Sequence, residues 1–156
     1  MAGVPDREAQ FKALHRLVGN TPLLSVDVRY RGELRRVFAK HESLSLTGSV
    51  KDRMALFVLE DAYRRGHLKP GDRIVEATSG NTGISSAALG RALGHPVTIF
   101  MPDWMSPERM WLIASFGADI IAVSRDQGGF LGSIERADVQ GLLDPHVFLP
   151  HQFSNE

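Results

Sequence analysis

Short apolar runs of strand length alternate along this chain with amphipathic stretches of helical length, and no other feature limits the fold as much. RVFAK (36–40), RIVEA (73–77), PVTIFM (96–101), DIIAVS (119–124) and HVFL (146–149) read as strands. Residues 51–65, 82–93, 107–116 and, with a weaker pattern, 129–143 read as helices. Gly66, Gly94 and Gly117 each follow a helix where a left-handed cap is wanted, and Ser106-Pro107 supplies an N-cap and a proline at the first helical position. This alternation predicts an α/β fold, an open parallel sheet with helices packed on both faces.

Residues 1–33 do not join the rhythm. They hold one short helix, Arg7–Leu17, then VGNTPLL, a turn leading into an extended segment expected to pack outside the main sheet. No internal repeat or low-complexity segment breaks the chain.

Composition narrows the function. A chain of 156 residues with 43% hydrophobic content is the size of one globular domain. Eighteen basic residues balance eighteen acidic ones, so no charge excess steers it onto nucleic acid or anionic lipid. There is no cysteine, which removes disulfides and thiolate chemistry. The six histidines form no i, i+4 pair and no HExxH, so no metal site is expected. Neither a Walker A pattern nor GxGxxG is present, which argues against nucleotide binding. The first residues lack the apolar core of a signal peptide and no apolar run reaches membrane-spanning length. A soluble, cytoplasmic protein with no membrane partner is the expectation. Trp104 and Trp111 read as packing or interface residues.

Open parallel sheets bind ligands beyond the carboxyl ends of their strands, where loops lead into helix N-termini. Two loops stand out there. In LTGSVKD (46–52), Ser49 is placed as the N-cap of the following helix, which leaves Lys51 in its first turn. That end of a helix is electropositive and disfavours a cation; Asp52 offsets part of the cost. The same position favours the neutral amine that a Schiff base with an aldehyde requires. In EATSGNTG (76–83), Thr78, Ser79, Asn81 and Thr82 crowd hydrogen-bonding side chains around Gly80 beside free helix amides, a receptor suited to a carboxylate or phosphate. Either loop alone also reads as an ordinary capped connection. Together, before two helices of one sheet, they place an amine and an anion receptor at one edge.

VGNTPL (18–23), TGSVKDR (47–53), PG-x-x-IVEATSGNTG (70–83), MPDWMSPER (101–109), FGAD (116–119) and PHQFSN (150–155) fall in the order and spacing of a known family. The chain resembles the cysteine synthase and cystathionine beta-synthase family of fold type II pyridoxal-phosphate enzymes. LTGS before the lysine and GGFLG at 128–132 bring it closest to one branch; Ser45-Leu46 stands where many members have Asn-Pro.

The resemblance implies roles. Lys51 corresponds to the lysine that holds pyridoxal 5'-phosphate and then removes the substrate's alpha proton. Asn81 corresponds to the residue that bonds the cofactor's phenolic oxygen. Thr78, Ser79, Thr82 and Gln152 match the groups that grip the alpha-carboxylate of a small amino-acid substrate. The reaction implied is beta-replacement on an O-activated L-serine with sulfide or another thiol; a serine or threonine dehydratase and a threonine synthase are the enzymatic alternatives. A complete member would be a homodimer.

The family's Gly/Thr-rich phosphate loop has no counterpart after residue 83. The chain therefore resembles the N-terminal half of a member: an arm over 1–33 belonging to a larger lobe, the smaller α/β lobe over 34–150, and a crossover beginning at 151–156. The expectation is weak or no turnover by this chain alone, with a non-catalytic fragment that pairs with a full-length homologue as the alternative.

Overall fold

The computed structural model describes residues 6–152; residues 1–5 of the expected arm and 153–156 of the expected crossover lie outside the described residues. The elements are α1 (Arg7–Leu14), β1 (Leu23–Tyr30), β2 (Glu33–Lys40), α2 (Lys51–Arg64), β3 (Arg73–Ala77), α3 (Asn81–Leu93), β4 (Val97–Pro102), α4 (Pro107–Ser115), β5 (Asp119–Val123), α5 (Gly129–Leu143) and β6 (Val147–Phe148).

Four strands form one sheet in the order β5-β4-β3-β6, every pairing parallel. Strand periodicity then sorts side chains to two faces. Ile74, Val97, Ile99 and Met101 join a core with Leu56 and Leu59 of α2, Leu89 and Leu93 of α3, and Ile113 of α4. Val75, Ala77, Phe100 and Val123 form a second core with Ala137 of α5. Helices thus cover both faces, as the alternation predicts. Gly66, Gly94 and Gly117 all take positive φ, ending their helices in the left-handed turn.

One strand departs from expectation. Residues 36–40 do not enter the parallel sheet; as β2 they pair antiparallel with β1, from Leu23 opposite Lys40 to Tyr30 opposite Glu33. The turn between them, Arg31-Gly32, has both residues at positive φ, the type I′ geometry that closes two-residue hairpins. Asp27 and Arg36, directly opposite, form a two-pronged ion pair at 2.7 and 3.0 Å. Every residue of both strands is exposed. A strand buried on both sides and a strand outside the sheet carry the same apolar run, so periodicity alone does not separate them. The boundary expected at 33/34 falls inside β2, after its first residue.

The arm is also docked at its start. Asp6 caps α1 by accepting from the Glu8 and Ala9 amides, and Phe11, Leu14 and Val18 are buried in the core shared by α2 and α3. Arg7 lies over the Tyr63 ring at 4.5 Å, and the Tyr63 hydroxyl meets His95, whose Nδ1 faces the Asp72 carbonyl oxygen at 2.7 Å. Burial holds the His95 imidazole below its ordinary protonation range. Residues 7–18 are therefore packed against α2 and α3. Among the described residues no helix is long and apolar enough to cross a membrane, and no cluster of His, Asp and Glu is arranged to hold a metal ion.

Candidate active site

The turn after β3 is built by Thr78. It is buried; its N–H donates to the Phe100 carbonyl at 3.0 Å, and its Oγ1 accepts the Gly80 N–H at 3.2 Å. Helix α3 begins at once at Asn81, with no side-chain cap, so its first-turn amides have no intrahelical acceptors and point out of the helix end. Thr82 and Gly83, buried in that turn, press the helix end onto the sheet.

The lysine loop arrives from the other side. Helix α2 starts at Lys51 with Val50, in helical conformation, at the cap position; Ser49 still contributes, its Oγ accepting the Lys51 N–H at 3.1 Å. Asp52 does something other than offset the Lys51 charge. Its fully buried carboxylate accepts from the Thr47 N–H at 2.8 Å, from the Thr47 hydroxyl, and from the Ser85 hydroxyl of α3 at 2.6 Å. The acid next to the lysine thus stitches the lysine loop to the helix that carries the anion receptor.

These elements enclose an open cleft of about 310 Å³ lined by Lys51, Thr78, Ser79, Gly80, Asn81, Thr82, Arg109 and Gln152. Every site residue expected from the sequence is in that lining. The Lys51 amine makes no hydrogen bond or ion pair to a described residue, which leaves it available for covalent attachment. Gln152, brought in by the segment after β6, spans the site: its Oε1 accepts from the Thr82 hydroxyl at 2.6 Å and its Nε2 donates to the Ala77 carbonyl at 3.0 Å. No carboxylate lines the cleft, whereas two cationic side chains and a helix N-terminus do. The surface is built for an anion.

Arg109 is the lining residue that sequence reasoning passed over. It sits in the first turn of α4, with Nη1 3.4 Å from the Ser79 carbonyl oxygen and its guanidinium lying over Gly80, where a Cβ would come within 3.2 Å of Nε. Its signal in the sequence was position: α4 follows β4, so its first turn lies at the same sheet edge. An unpartnered amine, exposed helix amides and a carboxylate-free lining match an aldehyde-bearing, anionic cofactor and an amino acid's carboxylate.

A family model described as pyridoxal-phosphate dependent enzyme matches residues 14–156. The chain is 42% identical over 115 residues to cysteine synthase B of Escherichia coli, covering 74% of this chain and 38% of that one. Among solved structures, a hydrogen sulfide-producing enzyme from Fusobacterium nucleatum superposes with a TM-score of 0.92 at 56% identity, covering 96% of this chain and 45% of that one. Cysteine synthase from Entamoeba histolytica superposes with a TM-score of 0.80 at 32% identity, covering 99% and 47%. The chain spans less than half the length of each of these relatives. With the family model matched over most of its length, the chain belongs to the family of pyridoxal-phosphate dependent enzymes.

Proposed function

We propose that this chain supplies the lysine-bearing half of an enzyme that performs beta-replacement on an O-activated L-serine, with sulfide or a thiol as the incoming group. The observation that carries the reading is the shared cleft: the unpartnered Lys51 amine, the Thr78–Thr82 turn and Gln152 line one surface without a carboxylate. When bound, the cofactor would supply an electron sink for the negative charge that develops at the substrate's alpha carbon.

The protein's share is placement. Lys51 would hold the cofactor by its aldehyde, and its Nζ would carry the proton taken from the substrate's alpha carbon. The first-turn amides of α3, with the Thr78, Ser79 and Thr82 hydroxyls and the Gln152 amide, receive the substrate carboxylate and fix the alpha C–H bond against the amine. Asn81 would hold the cofactor's phenolic oxygen. The phosphate anchor and the facing wall belong to a second lobe, to which the hairpin residues 23–40 also belong. The relatives' greater length and the solvent-exposed hairpin support this division. The complete enzyme is a cytoplasmic homodimer.

The experiment is reductive trapping. Excess cofactor and borohydride on this chain should label Lys51 in preference to Lys12, Lys40 and Lys69, with low yield. Labelling without preference would overturn the role of Lys51; stoichiometric labelling would overturn the need for a second lobe.

One comparison favours a second reading of the same cleft. The 56% identity to a hydrogen sulfide-producing enzyme supports release of sulfide from a thiol amino acid rather than its capture. Adding a second lobe and measuring sulfide consumed with O-acetylserine against sulfide released from cysteine decides between them.

A further inference from the structure

Glu76 is a buried acid that the proposed chemistry does not use. It lies on β3 two residues before Thr78 and is 4% exposed. Its carboxyl group borders a small cavity of about 70 Å³ closed by Val75, Ala77, Ile134, Ala137, Leu149 and His151, with Asp138 at its rim. One oxygen, Oε1, accepts the Ala77 N–H at 3.0 Å; the other, Oε2, has no hydrogen-bond partner among the described residues. A buried carboxylate oxygen left unpaired costs free energy, so the group is tolerated here only with a reason.

The neighbours supply one. Leu149 and His151, which close the cavity, belong to the turn that delivers Gln152, and His151 holds a positive φ of 51°. Gln152 is in turn fixed to Ala77, the residue after Glu76, through Nε2. The Gln152 backbone N–H favours the charged form of the Glu76 carboxyl group. Two titratable groups face Glu76: Asp138 from α5 and His151 from the segment after β6, 3.8 Å apart from one another.

We propose that Glu76 is a positioning residue for Gln152: its carboxyl group, closed beneath the 149–151 turn, sets where the Gln152 side chain sits between Ala77 and Thr82. The inference rests on the reading of Gln152 as a grip on the substrate carboxylate. Burial, with Asp138 adding to it, pushes the Glu76 acid up to about 7, against the opposing pull of the Ala77 and Gln152 N–H groups. Uncharged, the acid leaves the turn as observed. Charged, it draws the Gln152 N–H toward Oε2 and pulls the side chain from its seat on Thr82.

The test is an NMR titration of the isotopically labelled chain, without cofactor, following the Gln152 side-chain amide. In the wild type its resonances should move with a midpoint near 7. In Glu76→Gln, an uncharged isostere, they should stay at the low-pH position throughout. In Glu76→Ala they should be displaced at every pH while Asn81 signals hold; if that variant does not fold, the Gln variant decides alone. A Gln152 signal that does not titrate, or that titrates equally in Glu76→Gln and vanishes instead in His151→Gln, overturns the proposal. Lys51 trapping is scored separately: labelled Lys51 with an insensitive Gln152 sinks only this inference, and a titrating Gln152 with unlabelled Lys51 sinks only the proposed function.

Discussion

The Ser85 hydroxyl donates to the Asp52 carboxylate at 2.6 Å, binding the second turn of α3 to the first turn of α2 beneath the cleft. Asp52 is fully buried and its other partners are the amide and hydroxyl of Thr47. Removing one partner leaves a buried carboxylate short of a donor, so Ser85→Ala should cost about 1–3 kcal/mol. Asp52→Ala removes the hub and leaves the Thr47 N–H, the Thr47 hydroxyl and the Ser85 hydroxyl without their shared acceptor, so it should cost more than Ser85→Ala, on the order of 3 kcal/mol. Urea unfolding monitored by circular dichroism measures both. Equal losses for the two variants would show that the Thr47 bonds contribute nothing.

Gly83 and Gly90 lie on α3 against the sheet, and a Cβ at either would collide: with Thr78 Cγ2 at 2.6 Å from position 83, and with Val97 Cγ2 at 2.4 Å from position 90. Both Ala variants should lose about 1–3 kcal/mol through overpacking. Their effects on the cleft should differ. Gly83→Ala pushes on the residue that shapes the anion-binding turn, whereas Gly90→Ala pushes far from it. Trapping yield at Lys51 should fall for Gly83→Ala alone, after both are assayed well below their melting temperatures.

Much of the fold was legible because period and punctuation agreed. Strand runs bounded by helix-ending glycines located β3, β4 and β5 to within a residue or so, and Lys51, Asn81, Thr78, Ser79, Thr82 and Gln152 do share one cleft. What escaped reading depends on contacts between distant residues. The hairpin needed recognition that Arg31-Gly32 can close a type I′ turn, and arginine is an unusual occupant of positive φ. Asp52 read as a partial offset to the Lys51 charge because nothing in KDR shows that Ser85 will stand behind it. Glu76 read as one polar letter in an apolar strand, and its burial follows from the return of the chain at residues 149–152.

The buried Glu76 makes stability depend on pH in a definite direction. Its acid titrates at an ordinary value near 4.5 when unfolded and at about 7 when folded. A raised folded value means the native state binds the extra proton, so this contribution is fully present below about pH 4.5 and lost as pH rises through 7. The loss should reach about 3 kcal/mol by pH 8. Glu76→Gln, which never ionises, should be more stable than the wild type at pH 8 and closer to it at pH 5. Thermal melts at the two pH values read the crossover; a variant less stable at pH 8 would contradict the assignment.

The two-stranded ribbon presents Leu24, Val26, Val28 and Tyr30 on β1, with Val37 on β2, along one face, and all five are exposed, Tyr30 by 59%. Two strands alone are marginally stable in water, and an apolar ribbon with open edges invites association. The isolated chain should therefore self-associate through this face. Val26 stands directly opposite Val37, so Val26→Glu combined with Val37→Lys replaces an apolar pair by opposite charges across the strands. The doubly substituted chain should keep its hairpin and its melting behaviour, since exposed substitutions move stability by only about 0.5 kcal/mol. Light scattering should then report a smaller species than the unmodified chain at the same concentration. The same pair should weaken capture of a separately expressed second lobe from a full-length relative, because that lobe is the proposed cover for the ribbon. Unchanged particle size together with unchanged capture would mean that the ribbon is covered by nothing of the kind.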